Sequence, residues 1–142
     1  MRAGTENLYG IVGFAKALEL ATAGFEEDRR YINSIRLYMM DELLKHIKDV
    51  SFNGDTLGNS LYTVLSVGFP KTEKSEMLLF SLDMNNICAS GGSACTSGAD
   101  AGSHVIRAIN NDPNRVTVRF SFSKLNTKEE VDLVVNKLAE LV

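Results

Sequence analysis

The chain has 142 residues, 44% of them hydrophobic and 23% charged, with a net charge of −3. That is the balance of one ordinary globular domain, and its scattered lysines and arginines form no basic stripe of the kind that nucleic acid or an anionic membrane selects. Apolar runs of a few residues fall far short of a membrane span, "MRAGTENLYG" lacks the apolar core of a signal peptide, and two cysteines without secretory context predict free thiols in a reducing, cytoplasmic compartment.

In chain order, "RAGTEN" comes first, placing Arg2, Thr5 and Asn7 ahead of a helix. Backbone N–H groups and a hydroxyl at a helix start can hold a phosphate, and plain capping explains the same residues. Leu8, Ile11, Val12, Ala15 and Leu18 then recur at helical spacing. Gly10 and Gly13 inside that segment weaken it unless another backbone packs closely. A second helix is predicted after Gly24, with Ile32, Ile35, Met39, Leu43 and Ile47 on one stripe.

The period then changes. "SLYTVLSVGFP" puts Leu61, Thr63, Leu65, Val67 and Phe69 on one face of a strand ended by Pro70. "EKSEMLLFSLDM" reads as a helix, "ICAS" as a short strand, and "SHVIRAIN" as a short helix with Ser103 as its N-cap. In "VTVRFSFS", Val116, Val118, Phe120 and Phe122 face one way and Thr117, Arg119, Ser121 and Ser123 the other. Thr127 and Glu130 have capping-box spacing, and Val131, Val134, Val135, Leu138 and Leu141 make an amphipathic closing helix. The expected fold is α+β: a small, mainly antiparallel sheet with helices covering one face. The first helices are long for so small a sheet, and a connection toward something outside this chain is expected of them.

Three places carry chemistry. Cys95 lies in "ASGGSACTSGADAGSH", among Gly91, Gly92, Gly98 and Gly102, with no bulky side chain to bury it. An exposed thiol there becomes reactive if a positive neighbour favours the thiolate; the alternatives are a small buried hydrophobe or a partner for Cys88. Cys88 itself reads as a structural, buried residue of the preceding strand. Arg119 offers a rigid forked cation from the polar face of a strand, suited to a carboxylate, though a solvated charge has the same pattern. His104, just past the glycine-rich segment, permits a Cys–His hydrolase pair. No metal-ligand set is read.

Taken together, "RAGTENLYGIVGFAKALELA", "SGGSACTSGADAGSHVIRAI" and "VTVRFSFSKLNTKEEVD" resemble the C-terminal part of a cysteine desulfurase. The likeness is to the NifS/IscS-like group of pyridoxal-phosphate enzymes in the class V aminotransferase family, with the three motifs in that group's order and spacing. One departure is "ADAGSH", where the family commonly has Leu-Glu-Pro before Ser-His. The resemblance implies that Cys95 is the nucleophile that takes sulfur from L-cysteine as a persulfide, releasing L-alanine. It implies that Arg119 binds the substrate carboxylate. Thr5, in "R-x-G-T-x-N", would contact the cofactor phosphate across a homodimer interface. A mobile, exposed, small-residue tether is what such a sulfur carrier requires. The acceptor could be an iron–sulfur scaffold protein, a tRNA-thiolation system or a cofactor pathway.

The same resemblance implies a lysine in a Ser/Thr-x-His-Lys segment to hold the cofactor, and the sequence has no such segment. The expectation is that residues 1–142 form the small C-terminal domain of a fold type I enzyme. Residues 1–24 would then connect to a missing large domain, and the chain alone would be inactive. The alternatives are a stand-alone persulfide relay, and a selenocysteine lyase or aminotransferase-like relative.

Overall fold

The computed structural model describes residues 3–91, 103–109 and 112–142. A 39-residue helix, α1 (Leu8–His46), leads into β1 (Ser51–Phe52) and β2 (Val64–Pro70). A 3-10 turn (Ser75–Met77) enters α2 (Leu78–Met84), followed by α3 (His104–Ile109), β3 (Arg115–Ser121) and α4 (Lys128–Leu141). The three strands form one antiparallel sheet in the order β1-β2-β3. The expected α+β class, with helices on one face of a small antiparallel sheet, is what the chain adopts.

Strand register follows from the alternation of the two long strands. Leu65 sits opposite Phe120 and Val67 opposite Val118, all four buried, while Ser66 opposite Arg119 points the other way. A one-residue slip would turn the apolar set out to solvent, so the pattern fixes the pairing. The inner face is covered by the C-terminal half of α1, whose Ile35, Met39, Met40 and Leu43 are buried, and by Val131, Val135 and Leu138 of α4. The Thr127 hydroxyl and the Glu130 carboxylate cap α4 reciprocally. Three long-range polar contacts hold α1 against this region. Tyr38 donates to Asp132 at 2.7 Å, Tyr31 donates to the Asn126 carbonyl at 2.8 Å, and Lys124 pairs with Asp28 at 2.9 Å.

Three expectations need correction. The predicted break near Gly24 does not occur, and α1 runs through it. A mid-helix glycine costs about 1 kcal/mol against alanine, too little to interrupt a segment with strong helix formers on both sides and with both prolines, Pro70 and Pro113, elsewhere. Joined in this way, α1 contains an 18-residue window of mean hydropathy 1.2, none of it buried, which meets the length and composition of a membrane span; the short apolar runs hid this. The "ICAS" strand shrinks to a single bridge between Ser90 and Arg119. Apart from the backbone of α1 itself, nothing among the described residues lies within 4 Å of a Cβ built at Gly13.

Candidate functional site

Arg119 stands on the outer, solvent-facing side of β3, exposed, between the buried Val118 and Phe120 that anchor the strand. The chain segment after α2 is laid alongside it. Ser90 N–H donates to the Arg119 carbonyl at 3.0 Å, and Arg119 N–H donates to the Ser90 carbonyl at 2.6 Å. The side chains repeat the pairing, with Arg119 Nε donating to Ser90 Oγ at 3.1 Å. Nη1 and Nη2 of Arg119 have no hydrogen-bond partner among the described residues. Among the described residues Arg119 has no carboxylate partner. A guanidinium fork held at Nε has the chemistry to pair with a carboxylate through its two Nη groups.

Gly91 follows Ser90 beside β3. A Cβ there would meet Leu79 Cδ1, the end of a flexible side chain, and lie at ordinary contact distance, 3.4 Å, from the Thr117 carbonyl, so a side chain at 91 would require Leu79 to shift. On the neighbouring strand Ser66 faces Arg119 and accepts from Asn53 Nδ2 at 3.2 Å, which adds a polar floor to the same sheet face.

Cys95 follows Ser90 by five positions and lies outside the described residues. At the far side of that segment, Ser103 caps α3 by accepting from Ile106 N–H at 3.4 Å, as predicted. His104 is exposed at the start of α3, and its pairing with Cys95 falls outside the described residues. Arg2 does too. Cys88, expected to be buried, is exposed. Ile87 takes the inward position instead and is buried. Cys88 faces an open groove of about 620 Å³ lined also by Met39, Phe120, Phe122 and Val134.

Thr5 is exposed ahead of α1, next to Gly4, whose φ of 101° is a conformation that favours glycine. Asn7 caps the helix, its Oδ1 accepting from Gly10 N–H at 3.0 Å, so the Thr5 hydroxyl is not used for capping. Thr5 and Arg119 are not brought together. From Leu8 to Ile32, where α1 first enters the core, the helix rises about 36 Å. A single copy therefore cannot bring both to one small ligand.

Sequence reasoning found Arg119 from alternation but missed Ser90, its orienting partner, because the contact joins positions 29 apart and leaves no local signal. It also passed over Arg36, whose burial is described below; a charged residue one position after Ile35 on the apolar stripe was the available sign.

Comparison with known proteins gives a consistent set of relatives. The family described as Aminotransferase class-V matches residues 1–134. A cysteine desulfurase of Nostoc sp. is 38% identical over 143 residues, covering 99% of this chain and 35% of its own length. A cysteine desulfurase IscS of Methanosarcina thermophila is 40% identical over 144 residues, covering 99% and 35%. Among solved structures, a NifS-like protein from Rickettsia africae has a TM-score of 0.75 at 24% identity, over 99% of this chain and 36% of that one. A second NifS-like protein has a TM-score of 0.74 at 29% identity, over 98% and 34%. The chain thus spans about a third of the length of the curated relatives it matches.

Proposed function

The chain belongs to the class-V aminotransferase family, and we propose that within it residues 1–142 form the small C-terminal domain of a cytoplasmic, homodimeric cysteine desulfurase, with residues 1–24 as the connection to a cofactor-binding large domain. The observation that carries this reading is Arg119, exposed on β3 and held by Ser90 at 3.1 Å, with no carboxylate partner among the described residues. It lies beside the point where the chain leaves for Cys95. Five residues reach at most about 17 Å, so the thiol is tethered within range of whatever Arg119 binds.

The residues of this chain fit pyridoxal phosphate as minor contributors. Thr5 has an uncommitted hydroxyl for a phosphate oxygen, while the lysine that would hold the group covalently is not in a Ser/Thr-x-His-Lys context here. When bound, the cofactor supplies an electron sink that labilises the substrate. Arg119 holds the carboxylate of L-cysteine through Nη1 and Nη2 and fixes its orientation. The Cys95 thiolate attacks the substrate sulfur, forming an S–S bond as the substrate's carbon–sulfur bond breaks. The carbon retains the bonding pair, a proton replaces the sulfur there, and L-alanine leaves with the sulfur left as a persulfide on Cys95. No outside oxidant is needed, because the sulfane sulfur formed and the carbon reduced balance one another. A sulfur-acceptor protein, such as an iron–sulfur scaffold, then takes the persulfide sulfur.

The test is a chimera in which this chain replaces the matching third of the Nostoc enzyme. The chimera is expected to release alanine from cysteine and to gain one sulfur atom in mass on Cys95. Cys95→Ser should abolish the gain, and Arg119→Ala should raise KM by at least about tenfold, the worth of one charged hydrogen-bonding contact. A folded chimera that makes no alanine would overturn the reading. A second reading is a relay without its own catalysis, with Cys95 as the sulfur carrier. Sulfur loading of Cys95 by a separate desulfurase, with no alanine from the chimera, would favour it.

A further inference from the structure

A second basic site lies away from Arg119, between the middle of α1 and the segment 57–62. It is a cleft of about 460 Å³ whose lining includes Arg29, Arg30, Arg36, Leu37, Leu57 and Tyr62. Arg36 is only 4% exposed, unusual for an arginine unless it is paired. Its partners are neutral. Nη1 donates to Ser60 Oγ at 3.3 Å, Nη2 donates to Asn33 Oδ1 at 3.0 Å, and Nε has no acceptor at all. A buried cation satisfied by two neutral oxygens and short of a third acceptor has lost its hydration without gaining a counter-charge.

Among the described residues no carboxylate pairs with Arg36. Asp55, on the loop that closes the cleft, instead accepts from Gly58 N–H at 3.0 Å. Arg29 and Arg30 add two exposed cations at the mouth, and Glu26 is the one carboxylate in the lining. Arg30 Nε is spent on the Glu26 backbone carbonyl at 3.2 Å, which leaves its Nη groups available. Three arginines against one glutamate make a cleft with an excess of two positive charges, in a chain whose net charge is −3.

We infer that this cleft binds a phosphate-bearing small molecule, with the phosphate on Arg36, Arg29 and Arg30 and its organic part against Tyr62 and the flanking leucines. Guanidinium forks match the oxygens of phosphate, and a dianion balances the excess of two charges. Phosphate alone would fill a small part of the volume, and the half-buried Tyr62 ring with Leu37 and Leu57 forms a wall suited to an apolar or aromatic body. None of these residues belongs to the proposed sulfur-transfer site, so this inference stands or falls separately from that reading.

Calorimetric titration and thermal melting of the chain, at matched ionic strength, provide the test. The probes are inorganic phosphate, adenosine monophosphate, adenosine and acetate. Inorganic phosphate is expected to bind saturably and raise Tm, adenosine monophosphate to bind tighter than phosphate, and adenosine and acetate to do neither. The double variant Arg29→Ala/Arg30→Ala removes only exposed side chains and should weaken phosphate binding about tenfold or more. Arg36→Met should abolish the response to phosphate. If that variant does not fold, the double variant carries the test alone. Phosphate acting no differently from acetate, or the double variant binding as the parent does, overturns the inference.

Discussion

Tyr38 shows how one contact sets a residue's chemistry. Its hydroxyl donates to Asp132 Oδ1 at 2.7 Å, and that hydrogen bond, followed by burial and the carboxylate charge, raises its pKa from 10.0 to about 12. Only the protonated phenol can donate, so the pairing belongs to the neutral form. A raised folded-state value means that the contact stabilises fully below the ordinary tyrosine range and is lost as pH rises through about 12. Ultraviolet titration of the phenolate should show one of the four tyrosines ionising last, near pH 12. Asp132→Ala should bring the Tyr38 value back down toward 10.0. A late tyrosine that persists in Asp132→Ala would assign the shift to burial instead.

At the scale of elements, α1 is two helices in energetic terms although it is one in geometry. Its buried residues all fall between Ile32 and Leu43, while Leu8, Tyr9, Val12, Phe14 and Leu18 are exposed, Tyr9 by 93%. A helix without tertiary packing is marginal in water. Amide hydrogen exchange is therefore expected to be fast for residues 8–24 and slowest for 32–43, by several orders of magnitude; uniform protection along α1 would refute the division. This contrast was partly legible beforehand. The Ile32–Leu43 stripe, the Thr127–Glu130 box and the alternation around Arg119 are local patterns, and all three appear in the fold. What was not legible is non-local or too short. β1 has two residues, Ser90 grips Arg119 across 29 positions, and the outward turn of Cys88 depends on Ile87 claiming the inward place. The glycine at 24 misled because it signals a cost and not a break. For Cys95, the proposed nucleophile, composition and not geometry carries the reading.

For the whole molecule, one core unites the C-terminal half of α1, α2, the sheet and α4, and it ends where the exposed apolar face of α1 begins. The two regions should answer differently to the same substitution. Leu43, fully buried in that core, loses transfer energy and leaves a cavity on truncation, so Leu43→Ala should destabilise the fold by about 2–5 kcal/mol. Leu18 is 58% exposed and sits on a helix that alanine favours, so Leu18→Ala should change unfolding by no more than about 0.5 kcal/mol. The face that Leu18 shares with Ile11 and Phe14, all three exposed, should matter instead for association, because exposed apolar surface marks a contact. Denaturant unfolding of the chain measures the first pair of effects, and unfolding of the chimera, where the large domain is expected to cover that face, measures the second. There Leu18→Ala should become destabilising by about 1 kcal/mol or more as the leucine gains neighbours. Equal sensitivity of the isolated chain to both substitutions would mean that the N-terminal half of α1 already contributes to its core. Indifference of the chimera to Leu18→Ala would remove this helix face from the domain contact.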